Sequence, residues 1–408
     1  MPAAAMAQSF DVEQATRAYL GLLHGPARVK SDNYFEGQNW LILWSAVVGV
    51  LIYWAMLASG LSAWMRRWAE ARTKRKALAT MLYALGFTLT STALMLPWTI
   101  YTGFIREAQY DLMSQAFGLW IIDQAKALAI ALVVTPLVLA AIFAVIRRAP
   151  RFWWIWGAGL AWVFLMITTA ALPVLIAPLF FKMSELPEGP LRERIVAMAR
   201  THNIPAKHIY VADLSRQTKR ISANVSGLGP TVQITLADNL LTRTSPDEVA
   251  AVMGHEMGHY VLGHVWRNSA FFAVLFLAMF FVVAKATPFL IARNPRWRVA
   301  GVSDVAATPA LLLIATLVIT LATPLQSSIV RTAEAEADAF GLDTARQPDA
   351  FAMIAIRLSE YRKLEPGPIE EFLLFDHPSG ETRIRRAMQW KKDHILNAEM
   401  VKPRILTS

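Results

Sequence analysis

The sequence predicts an all-α protein that crosses a membrane six times and carries one small α+β domain on a single side of it. Three observations carry that prediction. The chain is 55% hydrophobic over 408 residues, with a mean hydropathy of +0.38, too apolar for a soluble protein of this length. Six long stretches hold little or no charge, each with the roughly 20 apolar residues that a bilayer requires. Between the fourth and fifth stretches lies a hydrophilic segment, 182–269, that mixes helix and strand signals.

Residues 1–38 form a polar N-terminal segment without the apolar core of a cleavable signal peptide, so the first span is expected to act as the membrane signal. Four spans follow within 39–181, at 39–62, 77–104, 127–146 and 152–181. Buried helices of a large soluble domain would be shorter and fewer. In the segment 182–269, residues 190–201 read as an amphipathic helix with Leu191, Ile195, Val196 and Met198 inward. Residues 208–212 and 231–236 are β-branched-rich and read as short strands, with Ser226-Gly227-Leu228-Gly229-Pro230 as the turn before the second. Two further spans, 270–292 and 305–326, occupy 270–326. Lys285 falls near the end of the first of these, where its amine can reach the interface. Residues 327–408 form a polar C-terminal part.

The chemistry is concentrated in His255-Glu256-Met257-Gly258-His259. Ser245 reads as an N-cap, Pro246 as the first helical residue and Glu248 as the closing member of a capping box, so the motif falls in the third and fourth turns of a helix. Residues four apart share a helix face, so His255 and His259 can offer imidazole nitrogens to a single Zn²⁺. Glu256 stands beside the metal, where it can take a proton from water as a general base. A catalytic zinc takes three protein ligands, and the third is expected from the Ala-rich stretch 331–338. There Arg331, Glu334 and Asp338 share a face and Glu336 points away from it. His259 precedes the fifth span by about eleven residues and Glu334 follows the sixth by about ten. With continuous helices the two segments stand roughly 15 Å above the same membrane surface. His264 lies off the ligand face and reads as structural.

The chain has no cysteine, which excludes disulfides, thiolate-zinc sites and thiol catalysis. The net charge of +10 does not indicate nucleic-acid binding, because the basic residues cluster beside spans, as at Arg66, Arg67, Arg72, Lys74, Arg75 and Lys76. That is the pattern of loops held at an anionic leaflet.

Several further stretches bear a family likeness: Leu96-Pro97-Trp98 with Tyr101, Phe104 and Glu107; Ala177-Pro178-Leu179-Phe180 followed by Leu186-Pro187-Glu188-Gly189; the 226–230 turn; the HExxH motif continuing to Gly263-His264; Arg331-x-x-Glu334-x-x-Ala337-Asp338; and His377-Pro378 with Arg383. In this order, over about 40–390, the chain resembles the integral-membrane zinc metalloproteases of the CAAX prenyl protease type 1 family, bacterial members above all. The resemblance implies one Zn²⁺ per chain held by His255, His259 and Glu334, with Glu256 as general base. It implies Asp338, with Arg331 on the same face, as an outer partner that fixes a ligating imidazole. His377 and Arg383 would approach the metal from the C-terminal part and stabilise the oxyanion. It also implies helices surrounding an intramembrane chamber, with substrate laid against an edge strand. The matching segment is Ile221, Ser222, Ala223, Asn224, Val225 and Ser226. The chain departs from the family pattern at Ser222 and Asn224, where Asn and Tyr are usual, at Asp111 and Ser114, where Gly and Asn are usual, and in having six spans rather than seven. Arg216, Lys219 and Arg220, just before the strand, read as a solvated face, with contact to a substrate carboxylate as the alternative.

The expected function is a membrane-embedded zinc endopeptidase. The family's hallmark is trimming after a prenylated cysteine, and a bacterial relative is expected to act on peptides or misfolded membrane proteins in the inner membrane. The alternative is a non-catalytic membrane chaperone or clearing factor on a protease scaffold, which the intact His255, Glu256, His259 and Glu334 set argues against. A transporter is disfavoured by spans nearly free of ionisable groups. The eukaryotic relatives place zinc on the cytosolic side. The short loops opposite the zinc side hold twelve Lys and Arg (the six above, Arg147, Arg148, Arg151, Arg293, Arg296 and Arg298), against Arg17, Arg28, Lys30 and Arg106 on the zinc side. The positive-inside rule therefore predicts a zinc domain on the exoplasmic side.

Overall fold

The structure is a computed structural model that describes residues 10–205 and 208–400. The outermost residues of the expected N- and C-terminal segments, 1–9 and 401–408, lie outside the described residues.

Five helices are long and apolar enough to cross a membrane: Gly25–Ala58, Lys76–Gln109, Phe117–Arg148, Trp153–Phe180 and His264–Arg293. The sixth expected span is not one straight helix. Val305–Leu321 and Thr323–Ala345 together pass as a span but are bent by 53°. Pro324 enters the second of these at its first turn, where it cannot donate to the preceding turn. The second and fourth span helices each include a π turn, at Tyr101–Ile105 and Leu172–Ile176. The first of these turns follows Pro97, whose missing N–H already breaks the regular ladder. A short helix, Leu61–Arg72, joins the first two spans and buries Ser62, Ala63, Met65 and Ala69. Cavities of about 640 Å³ and 520 Å³ lie among the spans. Gln38, Thr102 and Trp120 border the first, and Trp153, Phe164 and Phe280 border the second.

The small domain is built on a four-stranded sheet in the order β1-β2-β4-β3. The strands are β1 Met183–Glu185, β2 Ile209–Ala212, β3 Ala223–Ser226 and β4 Gln233–Ala237. The expected strands at 208–212 and 231–236 are β2 and β4, which pair in parallel, and the helix Pro190–Thr201 forms as read. β1 has only three residues and no alternating pattern, so nothing in the sequence marks it. β3 is antiparallel to β4, with Ala223 opposite Leu236, and stands at the sheet edge.

The helix Pro246–Val261 carries the HExxH motif, and Ser245 and Glu248 form the capping box at its start. One face buries Val249, Met253 and Met257 with Ile234, Leu236 and Leu240 of the sheet layer. The other face meets Thr323–Ala345 through glycines. A Cβ on Gly341 would stand 2.7 Å from the His255 nitrogen, and one on Gly254 would stand 2.9 Å from the Gly341 oxygen. Backbone therefore touches backbone where the two candidate ligand helices cross. Neither helix continues straight into its span, as the height argument assumed. Gly263, at φ +65°, separates the motif helix from His264–Arg293, and the bend at Ala322 separates Thr323–Ala345 from Val305–Leu321. The C-terminal helix Gly380–His394 packs Ile384 and Met388 with Phe351 and with Tyr19 from the N-terminal helix Val12–Leu20.

Candidate active site

His255, His259 and Glu334 come together. One ligand atom from each lies within 4.8 Å of the others. The Nε2 atoms of the two imidazoles are 3.2 Å apart. Glu334 Oε2 lies 3.2 Å from His255 Nε2, and Oε1 lies 3.4 Å from His259 Nε2. Ligands about 2.0–2.1 Å from a tetrahedral zinc stand about 3.3 Å from one another. The imidazole pair is at that spacing, and each imidazole has one Glu334 oxygen at it, Oε2 beside His255 and Oε1 beside His259.

The rear nitrogens decide what the front nitrogens offer. His255 Nδ1 is 2.9 Å from Asp338 Oδ1, and Asp338 is wholly buried. A carboxylate accepts only, so Asp338 favours a proton on Nδ1, and a cation that displaces any proton from Nε2 meets its lone pair. The Asp338 carboxylate is held in turn by Arg383, whose Nε and Nη2 donate at 3.0 and 2.7 Å. His259 reaches the same state through a longer chain. Its Nδ1 is 2.9 Å from His264 Nδ1, and His264 Nε2 is 3.0 Å from Glu336 Oε2. Glu336 accepts from His264 Nε2–H, so His264 Nδ1 accepts from His259 Nδ1–H and the His259 Nε2 lone pair points inward. Two forward lone pairs and a carboxylate suit a divalent cation and nothing neutral.

Without a cation in the site, the electrostatics favour a second proton on His255 in its place. Burial would lower the His255 imidazole, but hydrogen bonds to Asp338 and Glu334 raise it to about 9. Burial would raise Glu334, yet His255 and His259 pull its carboxyl far below the ordinary range. Burial likewise opposes ionisation of Asp338, and Arg383 and His255 override it. Glu256 moves the other way: burial raises it, the imidazoles only partly offsetting this, as suits a group that must pick up a proton. Glu256, Ser222 and Arg362 line a cavity of about 240 Å³ together with His377 and Arg383.

The remaining residues singled out in the sequence fall into three places. His377 Nε2 lies 3.1 Å from Glu334 Oε2, and its Nδ1 lies 2.8 Å from Asp376 Oδ1. Burial and the neighbouring Arg362 lower this imidazole, so it is a neutral hydrogen-bonding group. Arg331 Nη1 donates to the carbonyls of Glu371 and Phe375, at 2.7 and 2.5 Å, and holds the segment that delivers His377. In the expected substrate segment, Ala223, Asn224, Val225 and Ser226 form β3, and the Ser222 oxygen accepts from Ala237 N at 2.9 Å. Ile221, Ser222 and Ala223 border the active-site cavity.

Arg220 is not simply solvated. It donates to Glu107 Oε2 at 2.8 Å, which ties the approach to β3 to the second span. Arg216 Nη2 donates to the Phe180 carbonyl at 2.6 Å. Asp111 sits at φ +59°, where the usual glycine of the family pattern is at ease and aspartate is among the tolerated side chains.

Sequence reasoning missed two functional candidates. Arg362 Nη2 is 3.2 Å from His377 Nε2, yet it sits in an ordinary charged stretch with no motif to mark it. His264, read as structural because it is off the ligand face, reaches the rear nitrogen of His259 from there.

Comparison with known proteins agrees with this geometry. Residues 185–391 match peptidase family M48, and residues 26–182 match the CAAX prenyl protease N-terminal region, described as five membrane helices. The chain is 28% identical over 366 residues to the uncharacterized metalloprotease YhfN of Bacillus subtilis (strain 168), covering 88% of this chain and 84% of that protein. It is 30% identical over 197 residues to the CAAX prenyl protease 1 homolog of Oryza sativa subsp. japonica, covering 48% of this chain and 46% of the plant protein. The match thus spans about half the length of the plant relative. The crystal structure of S. mikatae Ste24p shares the fold, with a TM-score of 0.74 and 22% identity over 93% of this chain and 95% of that chain. With the metal-binding geometry and the multi-span fold in hand, these matches establish that the chain belongs to peptidase family M48, as a membrane metalloendopeptidase of the CAAX prenyl protease-like type.

Proposed function

We propose that the metal is zinc, one per chain, held by His255, His259 and Glu334, and that the chain cleaves extended peptide segments presented at the membrane. The observation that carries this is the convergence of His255, His259 and Glu334, one ligand atom from each within 4.8 Å of the others, with Asp338 and His264 behind the two imidazoles. A zinc ion supplies Lewis acidity there, polarising a carbonyl and making a water acidic at neutral pH. The protein's own groups do the rest. Glu256 takes the proton of the attacking water and passes it to the leaving amine. β3, an edge strand beside the cavity, holds the peptide extended by main-chain pairing. Asp338 and Arg383 keep His255 aligned, so Arg383 acts through Asp338. Arg362 beside His377 contributes the positive charge that faces the developing oxyanion.

The rice relative is named for CAAX prenyl processing. For this chain the proposed substrates are membrane-associated peptides or misfolded membrane proteins, lipid-modified or not. The proposed setting is a bacterial inner membrane with the zinc domain on the exoplasmic side, supported by twelve basic residues in the short loops opposite that domain against four on its own side.

The test is cleavage of a quenched fluorescent peptide by detergent-purified protein, wild type against Glu256→Ala, with zinc measured in both. Cleavage by the wild type alone, with about one zinc in each protein, is the expected outcome. Folded protein that takes up no zinc overturns the reading.

A further inference from the structure

The side of the protein remote from the active site carries an unusual charge load. Its three loops, 59–76, 147–152 and 293–304, hold twelve basic residues and two acidic ones, Glu70 and Asp304. That surplus equals the whole chain's formal net charge of +10; the remaining 28 basic and 28 acidic residues cancel. Both acids are already engaged. Asp304 pairs with Arg66 and accepts from Ala300 N and Ala306 N, and Glu70 stands 3.9 Å from Arg66.

The loops enclose a cavity of about 840 Å³ between the end of Leu61–Arg72, the start of Lys76–Ile100, the end of Phe117–Arg148 and the 300–305 loop. The Arg66–Asp304 pair and Glu70 lie in its wall, and Lys74, Lys76 and Arg147 line it too. Among the described residues none of these three has a carboxylate within ion-pair distance. Thr73, Thr80 and Ser303 add hydroxyls to the same wall. The helix that starts at Lys76 has no side-chain cap, so its first N–H groups are open on this side.

The depth of the cavity is marked by its neighbours. Trp64, Trp68, Phe152 and Trp156 are exposed at 53%, 36%, 49% and 64% on the adjoining helix ends. Exposed aromatic rings at span ends sit at headgroup level in a bilayer. The wall holds four cations against the two carboxylates Glu70 and Asp304, and three of those cations are unpaired; the ligand that matches this surplus and the hydroxyls at that depth is the phosphate of a lipid, with its acyl chains running down the apolar spans.

We propose that this cavity is a binding site for the phosphate of an anionic phospholipid headgroup, with Lys74, Lys76 and Arg147 as its cationic contacts. The site lies on the opposite side from the metal and does not depend on the peptidase reading.

The test separates a built site from the general attraction of a basic face. Lys74→Gln/Lys76→Gln/Arg147→Gln removes three charges from the cavity. Arg67→Gln/Arg75→Gln/Arg148→Gln removes three from the same loops at exposed positions outside it. Dioleoylphosphatidylglycerol retained by detergent-purified protein is counted by native mass spectrometry, with dioleoylphosphatidylcholine and inorganic phosphate as the comparison arms. Zinc content and melting temperature check that each variant is folded. The expected result is a loss of about tenfold or more in phosphatidylglycerol affinity for the cavity variant, little change for the other, and weak retention of phosphatidylcholine. Equal losses in both variants would show only a diffuse field and overturn the site. So would equal retention of phosphatidylcholine. Inorganic phosphate competing as well as the lipid would overturn the lipid as its ligand.

Discussion

The two imidazoles of the metal site are chemically the same ligand, but the protein supports them differently. Behind His255 stands Asp338, wholly buried and clamped through two oxygens by Arg383. Behind His259 stands His264, a neutral relay that is itself 2% exposed, and behind that Glu336, whose side chain is 41% exposed and shared with Arg267. One support is an ion pair in a dry interior and the other ends in solvent. The same tautomer is therefore held firmly at one ligand and adjustably at the other, because an exposed carboxylate is screened and a buried one is not.

This comparison can be broken most sharply at Asp338. Asp338→Ala leaves the Arg383 guanidinium buried without a partner and frees the His255 ring. We expect a stability loss of about 3–5 kcal/mol by thermal or chemical denaturation, together with a drop in zinc affinity of about 10–100-fold. Gly341→Ala comes next. It forces a methyl against the His255 backbone at the helix crossing, with an expected cost of about 1–3 kcal/mol and weakened zinc binding, although no ligand is touched. His264→Leu removes the relay but keeps the packing volume. Zinc affinity should fall about tenfold while the metal-free melting temperature stays close to wild type. Glu336→Gln should have the smallest effect, a few-fold in zinc affinity, because a glutamine oxygen still accepts from His264 Nε2 and the site is half in water. Stripping the metal sharpens the contrast. Melting temperatures of wild type and Glu336→Gln should then coincide, since their difference is one of bound-metal stabilisation, while Asp338→Ala should remain the least stable.

The difference between the two supports also marks what the sequence could tell. Helical spacing brought His255 and His259 to one face and set Arg331, Glu334 and Asp338 on another, since i,i+4 geometry is local and survives in the fold. The spans and the capping box at Ser245 were legible for the same reason, as periodicity and cap chemistry are written within a few residues, whereas the edge strand at 221–226 came only from the family resemblance and forms over 223–226. His264 was set aside by the same spacing argument that found the ligands. Five residues along, across the Gly263 turn, it faces the back of His259 rather than the metal, and only the three-dimensional path shows this. Arg362 reaches His377 from fifteen residues away through a bend that no local pattern encodes. The break at Ala322 escaped notice because hydropathy registers length and polarity but not direction.

The most direct measurement is a zinc titration with a competing chelator on metal-stripped wild type, Asp338→Ala and Glu336→Gln. The arrangement described here predicts that Asp338→Ala binds about 10–100-fold more weakly than wild type and Glu336→Gln only a few-fold more weakly. Wild-type affinity in Asp338→Ala, or a larger loss in Glu336→Gln than in Asp338→Ala, would contradict it.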